Sequence, residues 1–358
     1  MPFREDGAEP LLTSALEQGM IDARLEPSVI SDCRFVVMII GTPIDEHLNP
    51  SFGGILKAIE GCREHFRDGQ TLVLRSTCYP GTSKRLQRVM DEWDLDVRVA
   101  FCPERVAEGK SITEFRTLPQ VISAFDPGTL ESVRELFGGF APSFVELEPM
   151  EAELCKLMTN AWRYVQFATT NQFYMIARSF GLDYDRILHA CRHDHPRMIG
   201  MPGPGYAAGP CLRKDTMQLA AFSRNQFVLG HAAMLVNEGL PAFVIDQAKA
   251  RLDLSEAKVG ILGMAFKAES DDIRDSLSYK LKKLLELETN RVLTSDPYVT
   301  DDPELVPQEE LLAECDVVFV GVPHPEYRGL EMPEGVEAFD VWGCLAQKTG
   351  EPAAAAKS

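Results

Sequence analysis

Apolar runs of strand length alternate with amphipathic stretches along the first 147 residues. Arg34-Phe-Val-Val-Met-Ile-Ile40 is unbroken by charge after its first residue, as expected of a parallel strand buried on both faces. It ends on Gly41-Thr42-Pro43. A helical pattern runs from Ile55 to Phe66, and a second buried strand spans Thr71 to Arg75, closed by Ser76-Thr77-Cys78 and a Tyr-Pro-Gly-Thr turn. Val97–Phe101 reads as a third strand, leading into Cys102-Pro-Glu-Arg105, and Val121–Ser123 and Phe144–Leu147 read as two more. Residues 11–30 read as a short helix and a loop. Strands alternating with helices at this spacing predict a doubly wound parallel sheet, with ligands at the loops that follow the strands' carboxyl ends.

From residue 148 to about 252 the pattern is helical, over 151–182 and 215–251, interrupted by a glycine- and proline-rich loop. Residues 253–348 return to strand and helix: Lys258–Gly263, Arg291–Pro297, Cys315–Pro323 and Ala338–Trp342 read as strands with their exit loops. The last residues, 349–358, read as a disordered tail. The expected class is therefore α/β, with two similar parallel sheets (1–147 and 253–348) joined by a helical middle (148–252).

Composition narrows the function. A net charge of −18 argues against nucleic acid or an anionic membrane as partner, because phosphate binding needs clustered Lys and Arg. An anionic ligand must meet a local basic pocket. The nine cysteines are odd in number and scattered, with no CxxC pair, which reads as reduced thiols in a cytoplasmic protein with neither a disulfide framework nor a metal site. MPFREDGAEP does not read as a signal peptide, and no apolar run reads as membrane-spanning.

The candidate chemistry centres on Met201–Asp215, MPGPGYAAGPCLRKD. Gly203, Gly205 and Gly209 allow a close wrap around a ligand, while Pro202, Pro204 and Pro210 stiffen the path to Cys211. A surface linker with an incidental cysteine is the plain alternative. Glu153, Lys156 and Asn160 fall at i, i+3 and i+7 on one helix face. They form either a solvated stripe or, given Leu154, Leu157 and Met158 beside them, a partly buried polar set that needs partners.

In this order the motifs resemble those of the UDP-glucose/GDP-mannose dehydrogenase family, the nucleotide-sugar 6-dehydrogenases. The resemblance rests on Gly41-Thr42-Pro43, on Ser76-Thr77 with Pro80-Gly81-Thr82, and on Pro103-Glu104-Arg105 with Gly109-Lys110. It continues through Glu153-Leu-Cys-Lys156 with Asn160, Gly209-Pro-Cys211-Leu-Arg-Lys214-Asp215, and Gly263-Met-Ala-Phe-Lys267 with Asp272-Ile-Arg274-Asp-Ser276. It implies Rossmann-like sheets, NAD as cofactor, a UDP-sugar substrate, and a homodimer through the central helices. It also implies oxidation of a sugar C6 hydroxyl to a carboxylate through a Cys211 thioester. Lys156 and Asn160 would stabilise the oxyanion, Glu104 would position or deprotonate the hydrolytic water, and Asp215 would assist proton transfer. Thr42, Pro43, Ser76, Thr77 and Arg274 would meet NAD. Gly205, Gly209, Lys214 and Phe266 would shape the substrate site, Tyr206 would stack on the base, and Lys267 and Arg197 would meet anionic groups.

Two departures stand out. No GxGxxG occurs in the sequence, so the first strand-helix-strand unit is expected to be missing, which would weaken NAD binding and open a hydrophobic sheet edge. Ala208 stands where the family has a second adjacent glycine. Other readings are a nucleotide-sugar-binding pseudoenzyme, and a hydroxyacid dehydrogenase of related fold that needs no nucleophilic cysteine. Cys102–Lys110 looks like the UDP-N-acetylhexosamine branch and Lys214-Asp215 like the UDP-glucose branch, so the sugar stays open.

Overall fold

The computed structural model describes residues 3–41 and 52–346; Thr42, Pro43 and the expected tail lie outside the described residues. The chain divides into two compact units, Met1–Ala161 with Lys214–Phe227, and Trp162–Arg213 with Val228–Ser358.

In the first unit, β1 (Phe35–Met38), β2 (Thr71–Leu74) and β3 (Arg98–Phe101) form a parallel sheet in that order, Phe35 beside Thr71 and Thr71 beside Arg98. β4 (Gln120–Ile122) and β5 (Phe144–Glu146) form a separate parallel pair. The Phe101 N–H donates to the Ser123 carbonyl at 3.0 Å, and the Ser123 hydroxyl donates to the Phe101 carbonyl at 2.7 Å, so β3 and the end of β4 stay joined. Successive strand residues go to opposite faces: Leu72, Leu74, Val99 and Phe101 enter one core, Val73 and Ala100 the other. Both faces of β2 and β3 are covered, as their unbroken apolar runs predicted, whereas β1, expected to be buried on both faces, leaves Val37 43% exposed. Helix α1 (Ala8–Glu17) precedes β1, and α2 (Phe52–Glu60), α3 (Thr82–Glu92), α4 (Ser111–Thr117) and α5 (Pro127–Phe137) lie between the strands in sequence.

The helical middle comprises α6 (Pro149–Ser179), α7 (Tyr184–Arg192), α8 (Leu212–Phe222) and α9 (Val228–Lys249). α7 was not foreseen. It is short and mostly polar, and it depends on Asp183, whose carboxylate accepts from the Arg186 N–H at 3.2 Å. The single helix expected over 215–251 is two, because Arg224 and Asn225 take φ of 54° and 61° and break the ladder. α9 is long and apolar enough to cross a membrane by length and composition alone, contrary to expectation. Its Ala233, Asn237, Leu240, Val244 and Ala248 are buried in the second unit, which is the pattern of a core helix.

The second unit's sheet runs β7 (Arg291–Ser295), β6 (Lys258–Leu262), β8 (Val317–Val320), β9 (Glu337–Asp340), all parallel. Val259, Ile261, Val317 and Phe319 fill one core and Leu262, Val318 and Val320 the other, with α10 (Leu277–Leu285) and α11 (Gln308–Glu314) adding Leu281 and Leu311. The class is α/β with two Rossmann-like parallel sheets, as predicted.

Candidate active site

In the first unit the polar face of α6 is buried and partnered. Glu153 is 1% exposed and accepts from the Gly81 N–H (2.5 Å), the Ser83 N–H (2.8 Å) and the Ser83 hydroxyl (2.6 Å). It thereby caps α3, whose entry needs Gly81 at φ 97°. Burial holds the Glu153 carboxyl above the ordinary range despite these three donors. One turn pair further, the Asn160 amide donates to Asp215 Oδ2 at 2.6 Å. Lys214 Nζ lies 3.2 Å from Asp215 Oδ1, and the Thr77 hydroxyl lies 3.5 Å from Oδ2. Asp215 is fully buried, so Asn160, Asp215, Lys214 and Thr77 form one cluster drawn from α6, α8 and the end of β2. Lys156 is half-buried on the same helix.

Glu104 is engaged at both oxygens. Oε2 pairs with the buried Arg75, and Oε1 accepts from the Arg105 and Val106 N–H groups at 2.7 and 3.0 Å. Arg75 also donates to the Cys102 carbonyl at 3.1 Å and lies 4.8 Å from the Phe137 ring centroid. The ion-pair partner is thus Arg75 and not the neighbouring Arg105. A long basic side chain closing an apolar strand was the available signal.

In the second unit the glycine loop is held along its length. Arg192 Nε and Nη2 both donate to the Met201 carbonyl, at 2.9 and 2.5 Å. Asn171, fully buried on α6, binds both sides of Gly205: its amide donates to the carbonyl (2.9 Å) and its oxygen accepts from the N–H (2.8 Å). Asn171 also donates to Asn237 on α9 at 2.9 Å, and Asn237 to the Tyr164 carbonyl at 3.1 Å. Gly205 has φ 150°, and a Cβ there would lie 2.0 Å from the Trp342 ring. Gly209 has φ 96°, and its Cβ would lie 2.5 Å from Phe266. Its N–H donates to the Asp275 carbonyl at 3.2 Å. Two glycines are therefore required by close contact, while Gly203 has open space and Ala208 is accommodated without a positive φ. Asn171 and Asn237 escaped the sequence reading. Each is an amide inside an apolar helical run, the same signal that marked Asn160.

Tyr206 does not present a face for stacking. It is 5% exposed, set edge-on to Trp342 with centroids 6.1 Å apart, because the apolar core of this unit takes the ring. Phe266 and Lys267 are half-buried after β6, with the ammonium 5.5 Å from the Phe266 centroid. The Arg274 guanidinium makes bonds of 2.6–3.0 Å to the buried Asp272. Arg197 is exposed after α7. Cys211 is exposed and directly precedes α8. The contrast with other thiols is chemical: burial pushes Cys102 up to about 12, and burial with the nearby Glu153 pushes Cys78 higher still. Cys211 and Lys156–Asn160 fall in different units, and each set stands on its own geometry.

For NAD, Ser76 and Thr77 place half-buried hydroxyls at the carboxyl end of β2, which fits hydrogen bonding to a ribose or carboxamide. The start of α3 is already filled by Glu153 and supplies no pyrophosphate cradle.

Three stretches of the chain match the domains of one family. Residues 1–141 match the NAD binding domain of the UDP-glucose/GDP-mannose dehydrogenase family, 150–238 its central domain and 260–347 its UDP binding domain. The UDP-N-acetyl-D-mannosamine dehydrogenase of Pyrococcus horikoshii is 29% identical over 307 residues, covering 82% of this chain and 72% of that protein. The NDP-N-acetyl-D-galactosaminuronic acid dehydrogenase of Ralstonia solanacearum is 27% identical over 349 residues, 91% of this chain and 81% of that one. Among solved structures, a UDP-glucose dehydrogenase from Pyrobaculum islandicum superposes with TM-score 0.87 at 25% identity, covering 96% of this chain and 84% of that one.

Proposed function

We propose that this chain, which belongs to the UDP-glucose/GDP-mannose dehydrogenase family and takes NAD as its cofactor, oxidises C6 of a UDP-N-acetylhexosamine to the carboxylate through a thioester on Cys211. The observation that carries this reading is the buried Asn160–Asp215 contact with Lys214 beside it. A carboxylate, an amide and an ammonium have no packing reason to share a helix interface, and burying them is expensive unless they act together. The names of the relatives above favour an N-acetylhexosamine over glucose.

Ser76 and Thr77 at the end of β2 would hold NAD, and two NAD molecules in succession would supply the hydride acceptors for the two oxidations. The chain's residues do the rest. Lys156 and Asn160 hold the oxygen at C6 as charge develops on it. The Cys211 sulfur bonds to the aldehyde carbon, giving a thiohemiacetal whose oxidation leaves a thioester. Water held by Glu104 adds to that carbon, the C–S bond breaks, and Asp215 shuttles the proton. Gly205 and Gly209 bring the loop's backbone close to the sugar nucleotide beside Phe266. Lys267 and Arg197 offset the pyrophosphate charge in an otherwise acidic protein.

The test is NADH formation with UDP-N-acetylmannosamine, UDP-N-acetylgalactosamine and UDP-glucose. Cys211→Ser should lower steady-state turnover about a thousandfold. Turnover by Cys211→Ser at the unmutated rate would remove the thioester, and failure of every UDP-sugar would remove the function. We extend the reading to a homodimer through the central helices. Phe173 and Ile176 of α6, Phe180 just after it and Ile187 of α7 line an apolar groove of about 240 Å³, and Phe180 is 76% exposed. Light scattering should give twice the chain mass, and Phe180→Lys should halve it.

A further inference from the structure

The second unit contains a buried acid–imidazole pair that the mechanism does not use. Asp296 follows β7 and His324 follows β8, and both side chains are completely buried, with Nε2 3.1 Å from Asp296 Oδ2. Because these strands are parallel to β6, all three exit loops emerge at one end of the sheet. Asp296 Oδ2 accepts from the Met264 and Ala265 N–H groups, at 2.6 and 2.9 Å. His324 Nδ1 accepts from the Glu269 N–H at 3.2 Å. That bond assigns the ring proton to Nε2, where it is donated to Asp296.

The bonds therefore land on residues 264, 265 and 269, on either side of Phe266-Lys267, while those two residues stay half-buried. Asp296 Oδ1 is also satisfied, accepting from the Tyr298 and Val299 N–H groups at 2.8 and 3.1 Å. Burying an acid and an imidazole is poor value as pure stability, since well-packed apolar side chains usually serve as well. A fully bonded pair that straddles two residues is better explained by the geometry it imposes on them. Phe266 in turn is packed against Gly209, two residues before Cys211.

We propose that Asp296 and His324 are positioning residues for the UDP-sugar site, clamping the Phe266-Lys267 turn and, through Gly209, the loop that ends at Cys211. The proposal rests on the reading above that Lys267 meets the pyrophosphate. The unit could instead use the pair only to tie three strand ends together, and the two ideas differ in what they do to Lys267.

The experiment is calorimetric titration of the full chain with UDP. Lys267→Ala should weaken binding about tenfold, and His324→Ala should do the same. The double variant should be no weaker than the worse single one, because both changes remove the same contact. His324→Gln can still donate to Asp296 and should recover part of the loss, and NAD affinity should not move in any of them. If His324→Ala binds UDP as tightly as the unmutated chain, or if its effect multiplies with that of Lys267→Ala, the clamp is wrong. Should His324→Ala fail to fold, His324→Gln and its double variant are read by the same rule. If Lys267→Ala alone leaves UDP affinity unchanged, the reading of Lys267 fails and the clamp with it, a result distinct from failure at His324.

Discussion

The two parallel sheets are built from similar strands but finish their edges differently. In the second unit the outer strands carry charge: Arg291 of β7 pairs with Glu314 at 2.5 Å, and Glu337 of β9 with Arg251 at 3.0 Å. The first unit's outer strand β1 reads Phe-Val-Val-Met, pairs with β2 alone among the described residues, and leaves Val37 43% and the following Ile39 76% exposed. β1 thus has the composition of an interior strand in the position of an edge. Charged ends are how sheets avoid pairing with other chains, and β1 lacks them.

The units also differ in how each treats a buried carboxylate. Glu153 has three neutral donors and no cation, and burial wins, holding its pKa above the ordinary range. Burial pushes Asp296 the same way, but the hydrogen bond from His324, with the Ala265 and Tyr298 N–H groups, outweighs it and holds its pKa low. Similar desolvation gives opposite signs because Asp296 accepts from more donors than Glu153 does.

The largest test of the contrast is in the cores. Phe319→Ala, fully buried on β8, should lower the second unit's stability by about 3–5 kcal/mol, read from its denaturant midpoint. Asn171→Ala should follow with about 2–3 kcal/mol, since it strands the Gly205 N–H and carbonyl in the interior, and it should raise KM for the UDP-sugar more than it lowers kcat.

The carboxylates give a smaller effect with opposite signs. Asp296 stabilises fully above the ordinary aspartate pKa, so the advantage of the unmutated chain over Asp296→Asn should shrink as pH falls below about 4. Glu153 keeps its proton to higher pH when folded, so Glu153→Gln should gain on the unmutated chain as pH rises above about 4. Urea midpoints across pH would check both, and equal signs would break the comparison. Smallest in stability is Ile39→Lys on the β1 flank, expected within about 0.5 kcal/mol. It should nevertheless slow aggregation in light scattering, and no change would mean that the edge is not a pairing surface.

Period and punctuation in the sequence determined the class and the nine strands among the described residues, because strand and helix space their apolar positions differently whatever the partner. Motif order likewise determined the family, and with it the singling out of Cys211, Asn160 and Asp215. Tertiary structure decided what local pattern cannot encode. Glu104 found Arg75 rather than its neighbour, and Tyr206 went into the core rather than outward. The helix over 215–251 broke at two residues that tolerate positive φ. Asn171 and Asn237 became the supports of the glycine loop, and Asp296 met His324 from another strand. Each of these is a contact between residues far apart in sequence, made only when the sheets bring strand ends and helices together. Burial and hydrogen bonding choose among partners that one-dimensional spacing leaves equal.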